Sequence, residues 1–237
     1  MVMRGQTRAP EASLSSRRLH PALDQILSKD ERPKADYFGI SEGPIWVQQG
    51  RAGYLLFNAV GANAIYKWTP QAGLSLFLPN NGYTGNMATV GFRGCVVNNG
   101  RLNIANSSPN RIVTHPHGRL IFCAQADRAI VRIESNGRRA VLAENYAGKR
   151  LNRPNDLVLK PAGAIHFRDP HFVDSAPLEL RASALFFLKD GKVTLLLDDY
   201  KFPNGIAFSP GEKSLYVKDT ARDLIMTGHK AAGRLTA

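Results

Sequence analysis

Apolar residues occur in short runs separated by Gly, Pro and Asn, and the runs recur in sets. Leu151 to Pro170, LNRPNDLVLKPAGAIHFRDP, shows the pattern most fully: an amide-rich turn, an apolar run, a Pro/Gly turn, a second apolar run and a polar close. Asn110 to Cys123 follows it, with apolar residues two and three positions after the Asn, a Pro six positions on, then Gly and a second apolar run. Asn204 to Val217 repeats it with one extra residue in the turn. The three starts are 45 (155 − 110) and 49 (204 − 155) residues apart, within the roughly 40 to 50 residue period of four-stranded propeller blades. Ser41 to Val47, followed by the Gln49-Gly50-Arg51 turn and Tyr54 to Phe57, is a looser copy with Glu42 in place of the Asn.

These runs predict an all-β chain, a β-propeller incomplete at about four blades over 41–220, with an extension and lead-in over 1–40 and a non-propeller tail over 221–237. Blade one is expected at Ile45–Val47, Tyr54–Asn58, Ala64–Trp68 and Leu74–Leu78. Between Pro79 and Ser108 only Gly94–Val97 and Arg101–Ala105 have strand character. Blade two covers Asn110–Cys123, Ala129–Ile133 and Ala140–Glu144, and its Asn136-Gly137 pair is a strong hairpin signal. Blade three takes Leu157–Lys160, Ala164–Phe167, Ala184–Leu188 and Val193–Asp198, turning at Asp190-Gly191. Blade four opens with Ile206–Ser209 and Leu215–Lys218, and the alternation stops after Asp219. A short helix is expected over His20–Ile26.

Propeller blades radiate from a central channel, so the polar residues that lead each inner strand are expected to meet at one end of the axis. Glu42, Asn110, Asn155 and Asn204 are those residues, with Asn110, followed by bulky Arg111, read as structural. Asn before Gly or Asp is also a common turn former. Their oxygen-only donor set suits a hard cation.

The motifs SEGPIW, YLLFNAVGANAIYKWTP, LNRPNDLVLKPAGAIHFRDP and FPNGIAFSPGEKSLYV closely resemble the senescence-marker-protein/gluconolactonase/luciferin-regenerating-enzyme family of calcium-dependent lactonase propellers. The resemblance covers about Pro21 to Thr220. It implies a six-bladed type of propeller with an axial divalent metal, and hydrolysis of a sugar lactone or related ester. Carried over, it implies Glu42, Asn155 and Asn204 as metal ligands, with Asn155 also at the substrate, and Ca²⁺ as the ion, with Mg²⁺, Mn²⁺ and Zn²⁺ as alternatives. The family's proton-accepting Asp, in a Pro-Asp-Gly turn of the next blade, has no counterpart. The chain also departs from the family at Asn58, Arg111, Ala124-Gln125-Ala126 and Arg168, the last replacing a Thr. A metal in such a site would polarise the lactone carbonyl and acidify a bound water. The departures admit a catalytically defective propeller or a non-enzymatic binding protein as the alternative.

The 237 residues fall short of the roughly 270 that six blades require. A formal charge of +12 invites a polyanion partner, but the Lys and Arg are dispersed, with pairs only at Arg17-Arg18, Arg138-Arg139 and Lys149-Arg150. No specific nucleic-acid or membrane partner is expected, and the oligomeric state is not legible. Two cysteines, Cys95 and Cys123, form neither a disulfide framework nor a zinc pattern and read as free thiols. The first twenty residues lack the apolar core of a secretory signal, so the cytoplasm is the expected location. His115, His117 and His166 read as surface histidines. No GxSxG, Walker loop or HExxH occurs.

Overall fold

The computed structural model describes residues 41–59, 62–85, 96–98, 101–103, 109–171, 178–222, 224–229 and 235–236. By internal contacts these belong to a unit running from Gly39 to Ala237. The helix expected over 20–26 and the thiol of Cys95 lie outside the described residues.

Among the described residues, twenty strands are formed. The first sheet holds β1 (Ser41–Gln49), β2 (Ala52–Ala59), β3 (Ala64–Thr69) and β4 (Gly73–Pro79), in that order and antiparallel throughout. A small ribbon, β5 (Val96–Asn98) with β6 (Arg101–Asn103), follows. The second sheet holds β7 (Pro109–Thr114), β8 (Leu120–Ala124), β9 (Ala129–Ile133) and β10 (Arg139–Ala143). A two-residue ribbon, β11 (Asn145–Tyr146) with β12 (Lys149–Arg150), leads to the third sheet, β13 (Asp156–Leu159), β14 (Ile165–Asp169), β15 (Ser183–Lys189) and β16 (Lys192–Tyr200). The fourth holds β17 (Pro203–Phe208), β18 (Ser214–Asp219), β19 (Leu224–His229) and β20 (Leu235–Thr236). No helix occurs among the described residues.

The first strands of successive sheets, β1, β7, β13 and β17, lie side by side, as the inner strands of neighbouring propeller blades do. Cores form between blades. Leu56 and Ile65 of blade one meet Ile112, Phe122 and Val131 of blade two. Ile121, Cys123 and Ile130 of blade two meet Phe167 and Phe186 of blade three, and Leu185 of blade three meets Ile206 and Val217 of blade four. Because blade three is covered on both faces, β15 is buried at five of its seven residues, whereas the outer strand β16 alternates. Phe122, Phe167 and Phe186 are fully buried, each contributing about 1.5 to 3 kcal/mol through removal of apolar surface from water.

Blade four differs from the sequence expectation. Leu224–His229, assigned to a tail over 221–237, pairs with β18 along its whole length. The ladder bonds backbone to backbone and does not require the side-chain alternation that LIMTGH lacks; the open edge of β18 is enough to order it. Elsewhere the expected runs fall on strands, with most ends longer than expected by up to four residues and a few, as at β5, β10, β13, β14 and β17, stopping one or two residues short.

Where blade one touches blade two, β1 carries a bulge between Glu42 and Ile45. Gly43 has φ +57 there, and a Cβ on it would stand 2.3 Å from the Asn110 carbonyl oxygen. Only glycine allows this approach, which brings the start of β1 against the start of β7.

Candidate functional site

The inner strands begin at a common end of the axis, and hydrogen bonds to backbone carbonyls tie those beginnings together. Arg111 N donates to the Asn155 carbonyl at 3.2 Å, joining blades two and three. Asn155 N donates to the Arg168 carbonyl at 3.1 Å, continuing the β13/β14 ladder by one residue. Asn58 Nδ2 donates to the Asn110 carbonyl, joining blades one and two.

At the centre of this end lies Arg168. The hairpin of β13 and β14 places it directly opposite Asp156, and its side chain is completely buried. Its Nη2 donates to Asn155 Oδ1 at 2.7 Å and to Asn204 Oδ1 at 3.5 Å. The same nitrogen is 3.5 Å from Asp156 Oδ2, and Nη1 donates to the Pro203 carbonyl. Burial lowers the Arg168 pKa, and the Asp156 carboxylate opposes that shift. A guanidinium keeps its proton in proteins, so the centre of the oxygen cluster is a permanent positive charge.

Asp156 holds three blades together. Its Oδ2 accepts from Ile206 N of blade four at 3.0 Å, its Oδ1 accepts from Leu157 N at 2.8 Å, and Oδ1 lies 3.6 Å from Arg111 Nε of blade two. With Arg168 added, both oxygens are fully engaged. Asp169, next to Arg168 at the end of β14, is buried and accepts from Asn152 N and Arg153 N, each at 2.6 Å. Burial pushes its carboxyl up to about 7 against the pull of those two donors. Asp219 makes the corresponding contacts to Lys201 N and Phe202 N in blade four, both at 2.9 Å. The pair thus pins the chain segments that lead into β13 and β17, which bear the two asparagines.

Of the four residues expected to converge, Asn155 and Asn204 do, onto one nitrogen. Glu42 is exposed; it raises the Arg168 pKa electrostatically without forming an ion pair to it. Asn110 supplies its backbone carbonyl to Asn58 rather than a side chain to the cluster. Arg168 and Arg111 entered the sequence reading only as departures from a family pattern. A signal was available: in a hairpin turning at Pro161-Ala-Gly163, Asp156 and Arg168 fall opposite each other, an Asp facing an Arg. Cys123 is a buried free thiol, and burial raises its pKa well above the usual range, which keeps it unreactive. His166, expected at the surface, is half-buried between Phe187 and Phe208, with ring centroids at 5.0 and 5.2 Å. Its position in β14 makes it the partner of Phe187 across the ladder.

The residues as arranged do not fit the divalent ion implied by the resemblance. Calcium needs its oxygen ligands at about 2.3 to 2.6 Å, and here the two amide oxygens accept from Arg168 Nη2 instead. An ion about 4 Å from that guanidinium meets roughly 8 kcal/mol of repulsion at an effective dielectric of about 20. Among the described residues, no group of three or more His, Cys, Asp or Glu offers another metal site.

An open cleft of about 340 Å³ runs along the inner strands towards the opposite end of the axis, lined by Ile45, Arg111, Val113, Val158 and Phe208 and by turn residues such as Pro161. Arg111 belongs both to this cleft and to the cluster at Asp156.

The sequence pattern of the SMP-30/Gluconolactonase/LRE-like region matches residues 40–233. The chain is 35% identical over 211 residues to a gluconolactonase of Zymomonas mobilis, an alignment covering 85% of this chain and 55% of that protein. It thus spans little more than half the length of that relative. A gluconolactonase from Xanthomonas campestris has a similar solved structure, at 28% identity and a TM-score of 0.65, covering 83% of this chain and 60% of that one. The calcium-binding protein regucalcin from Agrobacterium tumefaciens, at 17% identity and a TM-score of 0.57, covers 84% of this chain and 57% of its own, and supports the fold alone. With the motifs, the four blades and these matches together, the chain belongs to the SMP-30/gluconolactonase/LRE-like family.

Proposed function

We propose that this chain opens the ring of a sugar lactone, or cleaves a related ester, at the end of the axis where its inner strands begin. The observation that carries the reading is the meeting of the Asn155 and Asn204 amide oxygens, from two blades, on one cationic nitrogen. Its sequence support is the 35% identity to the Zymomonas gluconolactonase.

Ring opening needs a positive group near the carbonyl oxygen and a base for the attacking water. Arg111, whose side chain is 37% exposed, is a guanidinium that a substrate can reach beside the buried Arg168. Asp156 cannot serve as the base, because backbone N–H groups and two guanidinium groups already engage its oxygens. The exposed Glu42 takes that role. Water, losing a proton to Glu42, bonds to the carbonyl carbon; the ring C–O bond breaks, and the departing alkoxide recovers the proton to give a hydroxy acid.

The test is opening of glucono-1,5-lactone, read as acid release in weak buffer after subtraction of the spontaneous rate. Asn155→Ala is expected to reduce the rate strongly, and Glu42→Gln by about 10²- to 10⁴-fold. Turnover no faster than the spontaneous reaction would refute the proposal. Because the carboxylate nearest the guanidinium is fully engaged, a propeller that binds lactone or aldonate without turnover is the second reading. It predicts a calorimetric binding signal in the absence of acid release.

A further inference from the structure

The oxygen cluster and the guanidinium within it carry an inference about cations that holds whether or not the chain turns over a lactone. Arg168 is fully buried, and its terminal nitrogens contact four oxygens: Asn155 Oδ1, Asn204 Oδ1, Asp156 Oδ2 and the carbonyl of Pro203. These come from two adjacent blades, and Glu42 of a third is close enough to influence the same guanidinium. Converging amide, carboxylate and carbonyl oxygens are the donor types that hold a hard divalent cation. Here they hold a protein cation, delivered from β14 by its register with β13.

We propose that the Arg168 guanidinium is the resident cation of this axial oxygen cluster. The native chain therefore takes up no divalent ion through Glu42, Asn155 and Asn204, and removing the guanidinium converts the cluster into a calcium site. The register explains why one residue decides the outcome. Position 168 faces the leading polar pair Asn155-Asp156, so a long cationic side chain there reaches the axis, whereas a short one leaves the oxygens to solvent. Two features retain the arginine in place. The Asp156 carboxylate balances its charge, and β14 lies between its hydrogen-bonded neighbours β13 and β15.

Calcium chloride titrations of the full chain by calorimetry and by thermal melting test this directly. The native protein is expected to give no binding heat and no change in Tm. Arg168→Thr, which suits a strand and removes the charge, is expected to bind one calcium ion per chain. Its Tm should rise by about 5 to 10 °C at roughly a hundredfold excess over Kd, and adding Asn155→Ala should abolish the effect. Arg168→Met, which fills more of the vacated volume, is the second variant should the threonine chain fail to fold. Stoichiometric calcium binding by the native chain that is lost in Asn155→Ala would overturn the proposal. So would a folded Arg168→Thr or Arg168→Met chain that remains indifferent to calcium. Neither readout depends on hydrolysis, so failure of the proposed activity and failure of this inference are separable.

Discussion

Replacing Asp156 with asparagine preserves the shape of the side chain while removing the negative charge that faces Arg168. The two charges are 3.5 Å apart, which at an effective dielectric of about 20 corresponds to a gross attraction of about 5 kcal/mol. Desolvation of both groups offsets much of this in the native pair. Removing one partner does not recover that cost, because the guanidinium stays completely buried and opposite only neutral acceptors. Breaking a buried pair in this way costs about 3 to 5 kcal/mol. For a chain of this size each kcal/mol lowers Tm by about 2 to 4 °C, so Asp156→Asn is expected to melt about 6 to 20 °C below the native protein. The double variant Asp156→Asn with Arg168→Met should recover part of the loss, since no fully buried charge is then left unbalanced and Arg111, which also loses its carboxylate, is partly exposed. Raising the salt concentration should change the single-variant effect little, because buried pairs are weakly screened. Scanning calorimetry of the four chains measures the whole cycle. A Tm drop under about 2 °C, or a double variant no more stable than Asp156→Asn alone, would refute the reasoning.

Two further outcomes follow from local geometry. Burial between Phe187 and Phe208 lowers the His166 pKa from 6.5 to about 4, so between those values the unfolded chain binds a proton that the folded chain does not. Stability conferred by neutral His166 is therefore complete above about pH 6.5 and lost as the pH falls towards 4, a change of about 3 kcal/mol; urea titrations of native and His166→Met chains at pH 7 and pH 4 should differ by that amount, and parallel pH profiles would count against it. Gly43→Ala forces a side chain into φ +57 with its Cβ 2.3 Å from the Asn110 carbonyl oxygen, and should destabilise by at least about 2 kcal/mol; an unchanged urea midpoint would show that β1 can draw away from β7 without cost.

What was legible in the chain and what was not divide along a physical line. Period-two alternation, hairpin pairs such as Asn136-Gly137 and Asp190-Gly191, and the spacing of Asn110, Asn155 and Asn204 report local backbone geometry. They were enough to place the blades and to bring two of the asparagines to one end of the axis. β19 was missed because its pairing depends on the free edge of β18 and leaves no alternation in LIMTGH. Glu42 and Asn110 shared the leading position, yet only tertiary packing decided that one stands exposed and the other contributes a carbonyl. The identity of the central cation was likewise beyond local pattern. Oxygen donors at strand starts look the same in sequence whether they surround a metal or a guanidinium, and the choice depends on which side chain the neighbouring strand delivers. Register brought Arg168 to that place, and a guanidinium that keeps its proton even when buried, balanced by Asp156, is a permanent charge there.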